Sequence, residues 1–349
     1  MQFSVKTAIS FQRILIAKTS HLGDLIISLP MAGMIKQRYP DSKVLFLTHP
    51  KAADAAKRCL DVDEVYSMPE NSGQLAALLK SLNIDVFIQA NTSKQLGLAA
   101  KSAGIPIRIG SIYRHYNWWL CTHNVAISRA DKGLNKRLLD LEYLKPLGIG
   151  VCNGQALVNI VRFSQKDPTG LAEKIGLDFS RHRIILHPSL ITSQAHQWPL
   201  AAYAELVSSF DRDRFQWIVT GTLAEKAYLQ PLLNLVDSTG DVLDAVGQLT
   251  LDELITFMPA CDGLVAGSTG PLHLAAALGL HTLGLYQSKP TVNKRWAPIG
   301  RSATTLYSST DCRGDKSLTP CPCILAISPQ HVKAQIISWF DESAEGGDL

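Results

Sequence analysis

No uninterrupted apolar segment approaches the roughly 20 residues needed to cross a bilayer, which argues against a helical membrane-spanning protein. The opening stretch, MQFSVKTAISFQR, lacks the apolar centre of a secretory signal. Cysteine is sparse: seven residues, an odd number without regular pairing, fit a reducing compartment rather than a disulfide framework. Strong charge is missing as well. A net charge of +4 permits an anionic partner but does not demand nucleic acid. No short internal repeat is visible. What remains is a soluble globular composition, 46% hydrophobic and 18% charged, in 349 residues, enough for two domains. A cytoplasmic protein is expected, with contact at a membrane surface left open.

Strand-like runs alternate with helical patterns. RILIA (13–17), VLFLTH (44–49), VDEVYSM, DVFIQA (85–90) and IPIRIG (105–110) are separated by alanine- and leucine-rich segments. The pattern then restarts with RIILHP (183–188), FQWIVTG (215–221), DVLDAVG (241–247), DGLVAG (262–267) and HTLGLYQ (281–287). Such alternation predicts an α/β protein with two Rossmann-like domains, each a parallel sheet with crossover helices. The polar stretch at about 163–182, with Pro168 and Gly170, reads as the linker. The expected domains are 1–165 and 181–327. Residues 328–349 form a last helix and tail, a candidate for packing back on the first domain. Open parallel sheets bind ligands at the carboxyl ends of their strands, so a cleft between the two halves is the expected site.

Two strand-to-helix junctions carry chemistry. In AKTSHLGDLI (17–26), Gly23 allows a tight turn and Asp24 falls in the first helical turn, where the dipole favours a carboxylate. Capping explains this fully; a general base in a cleft is the functional alternative. Lys18, Thr19 and Ser20 add polar groups to the same rim. In GSTGPLHLAAALG (267–279), Ser268, Thr269 and the unpaired amides of a helix start make an anion site without arginine. Gly270 admits a phosphate to the backbone, Pro271 suits the first turn, and His273 either donates to the ligand or bonds within the turn. Between these, LHPSLITSQAHQWP (186–199) leaves a strand through a polar loop, with Trp198 read as a packing anchor.

These motifs, in this order, resemble the heptosyltransferases of glycosyltransferase family 9, which have the GT-B fold, and the resemblance covers nearly the whole chain. It implies inverting transfer of a heptose, typically from ADP-heptose, onto the inner core of lipopolysaccharide, at the inner face of the inner membrane. By the resemblance Asp24 is the catalytic base. Ser189, His196, Glu225, Ser268, Thr269, Gly270, Pro271 and His273 surround the nucleotide-sugar donor. Three positions depart from the family pattern: His196 stands where a lysine or arginine is common, Ser268 where an aspartate is, and Ser189 where glycine is usual. They leave the donor's identity open, so another nucleotide sugar or acceptor, or a non-catalytic sugar-nucleotide-binding relative, stays in view.

An acidic acceptor needs basic recognition. Lys18, Ser20, Arg108, Arg114 and Arg137 are the candidates, with His115, Arg129, Lys132 and Lys136 nearby; Lys132 and Lys136 are expected to be merely solvated. Trp118 and Trp119 suit a sugar, a membrane interface or the core. Neither a metal nor a cofactor is expected. The Asp-x-Asp in DVDEV (61–65) directly precedes a strand, and the cysteines of 311–323 lack a fourth ligand at zinc-like spacing, although His331 is nearby.

Overall fold

The structure, a computed structural model, describes residues 10–127, 134–150, 161–189, 197–237, 242–287, 294–308 and 320–341. The chain divides into two compact units, with Ser164 in the first and Gln165 in the second.

In the first unit, β1 (Arg13–Lys18), β2 (Lys43–Thr48), β3 (Glu64–Ser67), β4 (Val86–Gln89), β5 (Ile107–Ser111) and β6 (His123–Val125) form one sheet. Its order is β3-β2-β1-β4-β5-β6, and every pairing is parallel. The central strands read as unbroken apolar runs because helices cover both faces, so side chains of either parity are buried. Leu15, Leu45, Phe87 and Leu96 belong to the core on one face. The order reverses between β1 and β4, which places a crevice beyond their carboxyl ends.

The second unit repeats this plan. Here β7 (His182–His187), β8 (Phe215–Val219), β9 (Val242–Asp244), β10 (Gly263–Ala266), β11 (His281–Tyr286) and β12 (Ala303–Tyr307) run parallel in the order β12-β11-β10-β7-β8-β9. The reversal lies between β7 and β10. Trp217, Tyr203, Phe215 and Leu283 anchor its core. Two edge strands, β6 and β12, go beyond those read from the sequence. Both are short and only partly buried or exposed, so neither carries the apolar run that marks a central strand.

The C-terminal helix Pro329–Ile337 belongs to the second unit. Its Val332 and Ile336, one turn apart, sink into the core of the second unit. Gln330 donates to Glu205 at 3.0 Å, on helix Leu200–Ser208. Beyond the helix, Trp339 stacks on His281 and Phe340 on His182, closing the amino ends of β11 and β7. Gly263 permits this, because a β-carbon there would collide with the Trp339 ring.

Candidate active site

At the carboxyl end of β1 the chain passes Thr19, Ser20 and His21 and enters helix Leu22–Ser28. Gly23 lies inside that helix, so Thr19–His21 make the turn instead. Asp24 occupies the first helical turn, and His21, the preceding cap position, makes no side-chain capping bond. The helix start is therefore open, and its dipole favours the Asp24 carboxylate. Asp24 is 27% exposed.

Behind Asp24 lies a buried charge cluster. Lys18, the last residue of β1, is 2% exposed; its Nζ stands 3.6 Å from Asp24 Oδ1 and 3.0 Å from Asp140 Oδ2. Asp140 is fully buried on helix Lys136–Leu141, and its other oxygen pairs with Lys136. Burial opposes charge on Lys18, yet the carboxylates of Asp140 and Asp24 outweigh it and hold the ammonium above its ordinary range. Burial likewise opposes the Asp140 anion, but the two lysines hold its carboxyl below the usual range. Lys136 goes the other way. Burial pulls its ammonium down to about 8, although Asp140 opposes the fall. Two cations and two anions balance, and a buried cluster persists only when paired this way. Lys136 is thus not the solvated lysine expected from the sequence. At the sheet reversal, Asn91, after β4, donates to Thr19 Oγ1 at 3.1 Å. Ser20 Oγ and Thr48 Oγ1, at the same edge, are buried without a hydrogen-bond partner.

In the second unit, β10 ends at Ala266 and the chain enters helix Gly270–Leu278 with Thr269 as the cap residue and proline in the first turn. Thr269 makes no capping bond, and its Oγ1 is buried without a hydrogen-bond partner. Ser268 is exposed. Pro188 and Ser189, beyond β7, line a small pocket with Gly267, Thr269, Gln197, Trp198, Tyr203 and Tyr228. Trp198 is buried, donating to the Ile327 carbonyl at 2.8 Å, an anchor as expected. Tyr228 donates to Gln197 Oε1 at 3.1 Å across the pocket. His187, the last residue of β7, is buried 2.9 Å from Thr220 Oγ1, and desolvation pushes it down to about 4.

Other expected site residues sit differently. His273, on helix Gly270–Leu278, is buried. Glu225 accepts from both the backbone N–H and the hydroxyl of Thr222 at 2.8 Å, closing a capping box. Arg108 stands near the amino end of β5, where its guanidinium donates to the carbonyls of Leu120 (2.7 Å) and Ile105. Its role is structural, because an arginine bound to two carbonyls at that end does not reach the carboxyl edge. Arg137 is buried, and desolvation lowers it to about 10. Arg114, past the end of β5, keeps a side chain with no ion pair among the described residues. His196, Arg129 and Lys132 lie outside the described residues. The Asp-x-Asp carboxylates have structural partners: Asp61 pairs with Arg162 at 2.5 Å, and Asp63 accepts from Val44 N at 2.6 Å and pairs with Lys36. Among the described residues no group of three or more histidines, cysteines or carboxylates is placed to hold a metal ion. No helix there is long and apolar enough to cross a membrane. Asp140 and Lys136 escaped the sequence reading as site residues, since nothing local marks a pairing 122 residues from Lys18.

Comparison with known proteins identifies the family. A family model described as glycosyltransferase family 9 (heptosyltransferase) matches residues 73–321, more than half of the sequence. The chain belongs to that family and is a glycosyltransferase. Lipopolysaccharide heptosyltransferase 2 of Escherichia coli K12 is 22% identical over 352 residues, 93% of this chain and 97% of that protein. Among solved structures, the E. coli ADP-heptose lipopolysaccharide heptosyltransferase II superposes with a TM-score of 0.79 at 19% identity, over 95% of this chain and all of that one. An E. coli heptosyltransferase solved with ADP gives 0.71 at 16% identity, over 94% of this chain and 100% of that one. The fold is therefore GT-B.

Two outcomes follow from the buried charges. Asp140→Asn strands Lys18 and Lys136 without their shared anion and is expected to cost about 3–5 kcal/mol, seen as a lower denaturant midpoint of the first unit. Adding Lys136→Met should return part of that loss; a single variant as stable as the parent would show the carboxylate to be dispensable. For His187, the folded value of about 4 lies below the ordinary 6.5. The unfolded chain therefore takes up a proton that the folded chain refuses, and stability falls as pH drops from 6.5 towards 4, by roughly 3 kcal/mol. His187→Gln should flatten that slope in calorimetric melts, and an unchanged slope would assign the acid sensitivity elsewhere.

Proposed function

We propose that this glycosyltransferase moves a heptose from ADP-heptose onto the acidic inner core of lipopolysaccharide, with inversion and without a metal ion or other cofactor. The observation that carries the reading is the Asp24 carboxylate, held at an open helix start on the carboxyl edge and braced from behind by Lys18. The named relatives are heptosyltransferases of lipopolysaccharide, and one neighbour was solved with ADP. Those features are theirs; for this chain they support the reading.

In this mechanism Asp24 takes the proton of an acceptor hydroxyl as its oxygen attacks the anomeric carbon from the face opposite the nucleotide. A carboxylate is a weak base toward an alcohol, so positioning supplies much of the rate. Lys18 and Asp140 provide it: a buried, paired ammonium fixes where the Asp24 oxygens point. The diphosphate leaves against the amino end of helix Gly270–Leu278, where unpaired amides and the hydroxyls of Ser268 and Thr269 receive its charge. Ser189 and His196 complete the donor side. Ser20 and Arg114 face the acceptor, Arg114 as a guanidinium still open to a carboxylate or phosphate. The two edges must meet across the substrates for transfer to occur.

A different nucleotide sugar is the second reading. Glu225 is engaged by Thr222, and two positions depart from the family pattern, Ser189 at the pocket and Ser268 beside it in the chain. Calorimetry with ADP-, UDP- and GDP-sugars separates the two, and binding without transfer to any acceptor would instead mark a non-catalytic relative.

Asp24→Asn should lower turnover by about 10² to 10⁴-fold with donor binding largely intact. Unchanged turnover in the purified variant would remove Asp24 from the chemistry. Activity should also survive excess EDTA, and its abolition would require a metal to carry the leaving-group charge.

A further inference from the structure

The loop after β5 carries the most exposed aromatic patch among the described residues. Trp118 is 68% exposed, Tyr113 61%, Trp119 51% and Ile112 40%. They are not core residues, which settles the packing alternative for the two tryptophans. The patch is also ordered by specific bonds. Trp118 Nε1 donates to the Ile112 carbonyl at 3.1 Å, and Lys101 Nζ donates to the Trp119 carbonyl at 3.1 Å. Helix Asn117–Leu120, which bears both indoles, packs against helix Lys94–Ser102 through Leu120, which lies where a β-carbon on Gly97 would sit.

Along the sequence, the charge in this stretch has one sign. No aspartate or glutamate occurs between Asp85 and Asp131, although the chain carries 30 acidic residues in 349. Within that stretch Lys94 and Lys101 are exposed and Arg114 is half-buried, while Arg108 is spent on backbone carbonyls. Indole and phenol rings prefer the headgroup layer of a bilayer, where an apolar body and a polar edge are both satisfied. Neighbouring cations add attraction when the lipids are anionic. A second copy of this chain would present the same positive surface and repel it.

We propose that residues 112–119, with Lys94 and Lys101, form a docking surface for an anionic phospholipid bilayer. In the strand order β1-β4-β5 this surface begins at the carboxyl end of β5, two strands from β1, and runs back towards the amino end, where Leu120 meets Arg108. An acceptor anchored in the membrane would then reach the base from the side on which the protein sits. This last step rests on the function proposed above; the lipid contact itself does not, because it is measured without either substrate.

The test is co-sedimentation of the full chain with vesicles of equal parts phosphatidylcholine and phosphatidylglycerol, against vesicles of phosphatidylcholine alone. Binding should require the anionic lipid and weaken with salt. The double variant Trp118→Ser/Trp119→Ser should lower partitioning at least about tenfold, since it withdraws two interfacial anchors. Lys94→Glu/Lys101→Glu should weaken binding to the anionic vesicles alone. Turnover on a lipid-free core oligosaccharide should be unchanged in both variants. Absent or salt-independent binding, or equal partitioning of the tryptophan variant, would overturn the proposal. So would a raised KM for the lipid-free acceptor, which would make the indoles sugar contacts. A concentration-dependent dimer lost in the tryptophan variant would instead make the patch a contact between copies. Failure of Asp24→Asn to lower turnover would leave the vesicle result standing.

Discussion

A lysine ammonium at the end of a central strand, shut away from water, is the constraint around which the first unit is arranged. Lys18 ends β1 beside the reversal of strand order, and at 2% exposure it has almost no access to solvent. A charge in that position needs an anion from the protein, and Asp140 supplies one from far along the chain. The pair fixes helix Lys136–Leu141 against helix Leu22–Ser28, and the latter begins with the turn that presents Asp24. Fold and candidate base are therefore coupled through one ion pair. The cluster stays neutral only because the half-exposed Asp24 completes its count of charges.

The two units solve the same geometric problem with different chemistry. Each is a parallel sheet buried on both faces, so polar groups are free to gather only beyond the strand ends. In the first unit that edge holds side-chain charge: a carboxylate in front and an ammonium behind. In the second it holds an uncapped helix start and the Thr269 hydroxyl. A carboxylate suits a proton and an array of amides suits a diphosphate, the division of labour that transfer from a nucleotide sugar needs.

How much of this was legible in the sequence follows from what each feature depends on. Strands β1, β2, β4, β7, β10 and β11 were readable because burial on both faces demands continuous apolar runs. The edge strands β6 and β12 lack such a run and were missed, whereas β3 and β9, edge strands equally open to water, were read. Asp24 and the 267–271 turn were readable because strand, turn and helix start are contiguous. Asp140 and Lys136 were not, since only the folded sheet brings them to Lys18. Arg108 was misjudged for the converse reason: residue type suggested a contact, while its position at the amino end of β5 decided it. For Trp118, of the three alternatives left open, exposure removes the core.

Unpaired polar atoms show where the structure departs from self-sufficiency. A buried hydroxyl without a partner costs about 1–3 kcal/mol, and most such groups in a folded protein find one. Ser20 Oγ, Thr48 Oγ1 and Thr269 Oγ1, at the carboxyl edges, do not, and neither does Thr282 Oγ1 near the amino end of β11. Lys18 and Thr48 are register partners on β1 and β2, so they project to the same face, where the lysine is fully engaged and the threonine is left over. Between their ends the side chains of both strands are buried and apolar, whereas Arg13 and Lys43 at the amino ends are charged. The unpartnered hydroxyls beside Asp24 and in the Thr269 turn are the ones that a ligand at the carboxyl edges would satisfy.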